Sequence, residues 1–218
     1  MNWGLNHTMT KPFRICVSDA DILVKFCKAG FLSLLGQLFN QVIVPKKVFE
    51  EAELKIGLQA RGLSLHAAQQ EGWLKSIDIS NPQNDLTREQ KHSILSYIET
   101  YRYSLDPGEL EASAIAHELG IQILLTDDRT AKRLIQEWSE LICIAHWEIL
   151  WLCINVNLLK MSEAEKIFQA LQTVVEYPVK IPFKELMKRS SNRLNYLLET
   201  ASTLSFSSQS KPKIAKKK

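Results

Sequence analysis

The sequence predicts an α/β fold: a mostly parallel central sheet with helices on both faces, followed by extra C-terminal helices. Short apolar runs of the fully buried strand type, ICVS (15–18), QVIVP (41–45), IQILL (121–125) and LICIA (141–145), alternate with helical segments. That alternation calls for crossover connections and hence parallel pairing. Glycine, proline and capping residues punctuate the joints between them. The 218 residues, 45% hydrophobic and 23% charged, suit a globular chain large enough to bury a sizeable core.

Taken in order, ICVS is a short strand ending at Asp19. A helix follows, Ile22–Phe26 into Phe31–Leu38, broken near Gly30. The β-branched run 41–45 is the next strand, and Pro45 opens a helix to about Ile56. Residues 63–70 read as helix, Gly72 ends it, and Trp73–Ile79 alternates like a strand. Thr87-x-x-Gln90 starts a capped helix to about Tyr101. Asp106-Pro107 sets an N-cap and first-turn proline for the helix Gly108–Leu119, which Gly120 terminates. The strand 121–125 leads to Asp127-Asp128 and a helix to about Trp138. After the strand 141–145 come a helix from His146, a capped helix from Ser162-x-x-Glu165, and a last helix near 183–200.

From Ser202 onward, serines and lysines without apolar periodicity predict disorder. The organisation expected is a flexible leader (1–12), a main domain (13–159), a helical extension (160–201) and a Lys-rich tail (202–218). No internal repeat is present.

Several function classes are disfavoured. Five lysines, Lys211, Lys213, Lys216, Lys217 and Lys218, sit in the tail and carry the net charge of +3. Without them, 22 basic residues face 24 acidic ones, so the body is no basic nucleic-acid binder by composition. Cys16, Cys27, Cys143 and Cys153 lie inside apolar runs with no C-x-x-C pair and read as reduced core thiols of a cytoplasmic protein. The opening residues lack the apolar core of a secretory signal. The longest apolar stretch, 142–159, is interrupted by His146, Glu148, Asn155 and Asn157, so no membrane role is expected.

Acidic residues recur where elements end: Asp19 and Asp21, Glu50 and Glu51, Asp106 and Glu109, Asp127 and Asp128. In parallel α/β sheets, ligands gather beyond the carboxyl ends of the strands, where Asp19 and Asp127/Asp128 fall. A shared divalent-metal site is one reason for such recurrence. Helix capping is another: Asp106 reads most simply as an N-cap, and either Asp127 or Asp128 suits the start of the next helix. Glu50 and Glu51 alone read as a solvated helix face, and Asp21 as either an extra ligand or a surface residue. Trp147 and Trp151, four apart, read as core. Arg129, Lys132 and Arg133 stand near the expected crevice, where phosphate contact competes with plain solvation.

In this order, VSDADILVKFCKAGFLSLL, VIVPKKVFEEA and LDPGELEASAIAHELGIQILLTDD resemble the PIN-domain family of metal-dependent ribonucleases. The similarity spans roughly 15–159 and is nearest the bacterial and archaeal branch that includes toxins of toxin–antitoxin pairs. It implies a Mg²⁺- or Mn²⁺-dependent endoribonuclease with a functional set of Asp19, Glu51, Glu109 and Asp128. Asp127 competes with Asp128 for the last place, so the metal candidates are Asp19, Glu109, Asp127 and Asp128. Glu51 is assigned to a second ion or to the attacking water. The resemblance also implies an RNA substrate, a small antitoxin partner and a homodimer. Two departures stand out: Asp21 where the family usually carries Ser or Thr, and His146-Trp147 where Gly-Thr is common. The competing readings are a silent PIN-like binding module and a HAD-type phosphatase. The latter is suggested by D-x-D followed by D-D but has no use for the GELEA block.

Overall fold

The computed structural model describes residues 11–83 and 86–206. Five strands form one sheet: β1 (Phe13–Ser18), β2 (Phe39–Pro45), β3 (Leu74–Ile77), β4 (Ile123–Leu125) and β5 (Ile142–Ile144). Their order is β3-β2-β1-β4-β5, and every pairing is parallel, as the crossover pattern predicts. The first helices are α1 (Ala20–Ala29), α2 (Ser33–Leu38), α3 (Lys46–Ile56) and α4 (Leu65–Gln70). Next come α5 (Arg88–Tyr101), α6 (Pro107–Glu118), α7 (Arg129–Trp138) and α8 (His146–Asn155). The C-terminal helices are α9 (Met161–Gln172) and α10 (Phe183–Phe206).

Strand side chains alternate between two cores because successive residues point to opposite faces of a sheet. Cys16, Val42, Val44, Leu125 and Ile144 enter one core, closed by α1–α4 and α8–α10. Val17, Ile43, Leu124 and Cys143 enter the other, closed by α5, α6 and α7. Residues of α9 and α10 such as Phe168, Leu171, Phe183 and Leu194 belong to the first core, continuous with the sheet. Helix α6 is thin and buried from Leu110 to Ala116 because Ala112, Ala114 and Ala116 let its backbone lie close to the strands. That packing fixes the helix whose first turn carries Glu109.

Gly30 ends α1 in the left-handed region (φ 84°), the break expected there between α1 and α2. The run 121–125 pairs only over β4, which is shorter than expected. Helix α9 does not begin at Ser162. It starts at Met161, and Glu163 reaches back to accept the Lys160 N–H at 2.7 Å, so the glutamate that closes the first turn lies two residues before Glu165. Helix α10 continues past the expected end at 200 to Phe206, since neither glycine nor proline interrupts that stretch, so residues 202–206, expected to be disordered, are helical. Leader residues 1–10 and tail residues 207–218 lie outside the described residues. Among the described residues, no helix is long and apolar enough to cross a membrane. All four cysteines are buried and unpaired.

Candidate active site

From β1 the chain moves to β2 and β3 on one side and later to β4 and β5 on the other. The reversal of direction opens a crevice at the carboxyl ends of β1 and β4, the usual ligand position in such sheets. Three helices, α1, α6 and α7, begin there, and each turns an acidic residue to its own N-terminus.

Asp19 follows β1 directly. Its N–H donates to the Leu125 carbonyl at 3.0 Å, tying the ends of β1 and β4, and its carboxylate accepts the Ile22 N–H at 3.0 Å as the α1 N-cap. Glu109 stands three residues beyond Asp106, and its carboxylate accepts the Asp106 backbone N–H. The Asp106 side chain makes no capping bond, so the cap expected from it is supplied in reverse by Glu109. Asp128 caps α7 by accepting the Ala131 N–H at 2.6 Å. Backbone donors and the positive ends of three helix dipoles thus hold three carboxylates at one crevice.

Burial sets the proton affinities of Asp19 and Glu109. Burial pushes the Asp19 carboxyl up to about 8; bonds from Thr126 and Ile22 oppose the shift, and the charges of Asp127 and Asp21 add to it. Burial also raises Glu109, to about 7, helped by the charges of Asp128, Asp106 and Asp21. Among the described residues, no lysine, arginine or histidine pairs with Asp19, Glu109 or Asp128.

Asp127 is placed differently. One oxygen accepts the His146 N–H at 2.9 Å, the His146 Nδ1 lies 2.8 Å from the other, and the Lys25 ammonium pairs with that second oxygen. Burial would raise this carboxyl, but His146 and Lys25 outweigh it and hold the group below the usual carboxylate range. Both oxygens are therefore engaged inside the protein, while Asp128 faces solvent. Of the adjacent aspartates, Asp128 is the one that caps α7.

Glu51 and Asp21 form an outer pair. The Lys55 ammonium lies 2.8 Å from Glu51 and 2.9 Å from Asp21. Gly108, at the start of α6, faces Glu51: a Cβ there would lie 3.4 Å from the second Glu51 oxygen and, more tightly, 3.2 Å from a Val48 methyl. Glu50 turns away to the β3 side, with Lys46 at 3.9 Å. Lys132 is not directed at the crevice: it pairs with buried Glu148 at 3.1 Å. Arg133 pairs along its own helix with Glu137 at 3.6 Å. Trp151 is core, as expected, and Trp147 packs partly buried against it. A separate cleft of about 650 Å³ lies between α3, β3 and α5, lined by Lys46, Glu50, Asp78 and Gln90, and includes none of the crevice carboxylates.

Several residues without a motif also shape the site. The Thr126 hydroxyl bonds Asp19 and accepts the Asp128 N–H at 3.2 Å, linking the Asp19 carboxylate to the Asp128 backbone. Gln172, at the end of α9, accepts the Val179 N–H through its carbonyl oxygen, so its amide NH₂ donates to His146 Nε2 at 3.0 Å. The imidazole hydrogen then sits on Nδ1 and donates to Asp127. Lys25 had one visible signal, a lysine on the buried face of α1 between Ile22 and Phe26.

A family model described as a PIN domain matches residues 15–180. The chain belongs to the PIN-domain family. The match covers most of the chain and runs past Leu159 through α9. It replaces the HAD-type phosphatase reading, and the parallel sheet agrees with it. No curated protein and no solved structure matches the chain.

The PIN domain is a nuclease-type fold, and its members typically use divalent metals. The donor chemistry fits a hard cation: the crevice offers carboxylate oxygens and one hydroxyl, with His146 committed to Asp127. As the side chains stand, no three His, Cys, Asp or Glu among the described residues are gathered into a metal cage. Asp19, Glu109 and Asp128 each turn an oxygen to a helix N–H instead.

Proposed function

We propose that this PIN domain is a Mg²⁺- or Mn²⁺-dependent endoribonuclease that hydrolyses RNA phosphodiester bonds at Asp19, Glu109 and Asp128. One observation carries the reading. Carboxylates from three distant parts of the chain stand at helix starts on the sheet's reversal edge, none of them paired with a basic side chain among the described residues, and burial raises the proton affinity of Asp19 and Glu109. A bound divalent ion would supply the missing positive charge, acidify a water and neutralise the phosphate.

The chain's own residues supply the rest. Asp19, Glu109 and Asp128 would hold the ion through oxygens not turned to helix N–H groups. Thr126 fixes the spacing between Asp19 and Asp128. Asp127 acts as a positioning residue: anchored by Lys25 and His146, it sets the turn that presents Asp128. Glu51, beside Gly108 at the start of α6, stands where it can orient the attacking water. The three helix N-termini favour a polyanionic substrate at this edge. The further step to a toxin with a small antitoxin partner rests on the resemblance of the sequence blocks alone.

Asp19→Asn tests the reading. Asparagine keeps the α1 cap but removes a ligand charge. With labelled RNA and Mn²⁺, the parent protein is expected to cleave and the variant to lose at least about 100-fold in rate, the order associated with losing a main charge-stabilising group. Cleavage that persists in the variant removes Asp19 from the site. A parent protein that binds RNA but cuts nothing with any metal is a binding module.

A further inference from the structure

The carboxylates of this crevice fall into two sets, and only one lacks a cation. Asp19, Glu109 and Asp128 have backbone and hydroxyl donors but no basic partner among the described residues. Asp21 and Glu51 share the Lys55 ammonium at 2.9 and 2.8 Å. Glu51 and Lys55 are four apart on α3, an ordinary helix pair. That pairing does not account for Asp21, which comes from α1 and brings its carboxylate to the same nitrogen. A cation bridging carboxylates from two separate elements does what a divalent ion does.

We infer that Lys55 is the second cation of the site: its ammonium stands between Asp21 and Glu51 in place of a second divalent ion, so the chain takes up one metal ion and offers Lys55 to the phosphate of bound RNA. The inference rests on the nuclease reading above and sharpens it. Two-ion phosphodiesterases set their ions about 4 Å apart, so that one ion serves the attacking oxygen and one the leaving oxygen. Asp21 lies in the first turn of α1, two residues after the Asp19 cap, so the Lys55 bridge sits at the same end of α1 as Asp19. Gly108 brings Glu51 to the start of the Glu109 helix from the other side. Two of the three ammonium donors face carboxylates, and the half-exposed side chain leaves the third for a phosphate oxygen. The α3 backbone under Lys55 is fixed by buried Ala52 and Ile56, so the ammonium moves only by its own flexible stem.

The test counts ions. The full chain is titrated with Mn²⁺, reading free Mn²⁺ by its paramagnetic resonance signal, for the parent, Lys55→Met and Lys55→Arg. The parent and Lys55→Arg should bind one ion, and Lys55→Met should bind a second. In RNA cleavage, KM for Lys55→Met should rise roughly tenfold, the loss of one charge-assisted phosphate contact. Lys55 is exposed, so neither variant disturbs the core. One ion in Lys55→Met, or two in the parent, makes Lys55 a plain ion pair and overturns the inference while the nuclease reading stands. No ion in the parent sinks both.

Discussion

Asp127 and Asp128 are neighbours in sequence with opposite fates, and the difference lies in what faces them. Asp127 meets Lys25 and His146 in the interior, while Asp128 meets Thr126 and the first turn of α7 at the surface. Sequence alone showed two aspartates at a strand end. It did not show which one would be buried, because the partners come from α1 and α8, far away along the chain. Asp19 and Glu109 stood out in the sequence by recurring at element ends in blocks that resemble the family, and each carboxylate accepts a backbone N–H at the start of its helix. Their raised proton affinities have a consequence for stability. The folded state holds a proton on Asp19 up to about pH 8, whereas an unfolded aspartate releases it near pH 4. The stabilisation from this group is thus complete below about pH 4 and is lost as pH rises toward 8. Glu109 acts the same way up to about pH 7. Asp127 and Glu148, whose carboxyls are lowered, act in the opposite direction only under acid conditions. Metal-free protein should therefore lose stability between pH 5 and pH 8. Asp19→Asn should flatten that slope and raise the melting temperature at pH 8 by at least about 2–4 °C, equivalent to about 1 kcal/mol. Melting curves in a metal chelator across the pH range check this, and a variant no more stable than the parent at pH 8 contradicts it.

At the level of elements, the alternation of apolar strands and capped helices gave the sheet, its parallel pairing and nearly every helix. Local chemistry was enough wherever one residue decides an end: Gly30 after α1, Pro107 at the start of α6, Thr87 and Gln90 at α5. It failed where two glutamates compete. At α9 the pattern Ser162-x-x-Glu165 looked like a cap, but Glu163 reaches the Lys160 N–H and the helix starts a residue earlier. It was also silent on close packing between elements. Gly36 sits inside α2, where a glycine costs helix stability, and the reason is Trp73. A Cβ at this position would lie 2.6–2.8 Å from the indole ring, so the helix meets β3 only if residue 36 has no side chain. Gly36→Ala gains helix propensity yet should lower stability by about 1–3 kcal/mol through overpacking. Chemical denaturation measures it, and a neutral or stabilising result would show that Trp73 moves aside at little cost.

Across the whole molecule, the C-terminal helices are tied to the sheet by charge as well as by apolar packing. Arg193 of α10 donates to both Glu148 oxygens, at 2.8 and 2.6 Å, and to the Cys143 carbonyl at 2.8 Å. Burial alone would raise Glu148, but Arg193 and Lys132 keep it ionised below its ordinary range. Arg193→Ala leaves a buried carboxylate with only the Lys132 ammonium and the Ala145 N–H and should cost about 2–4 kcal/mol. Equilibrium unfolding tests this, and a change under 1 kcal/mol would mean that Glu148 is hydrated once the arginine is gone. This arrangement was beyond sequence reading, which treated the segment after Leu159 as an extension with no assigned role. Neither Gln172 nor Arg193 carries a motif; each matters only through what α8 presents to it.

The chain of contacts from Gln172 through His146 to Asp127 also bears on timing. A ribosome delivers Asp19, Glu109 and Asp128 before the residues of α9 and α10, so a nascent polypeptide carries those carboxylates before it carries Gln172, which braces His146. Until those final helices dock, Asp127 lacks its full clamp and the turn presenting Asp128 is held less firmly. Assembly of the acidic crevice, in this architecture, is finished only after α9 has been made.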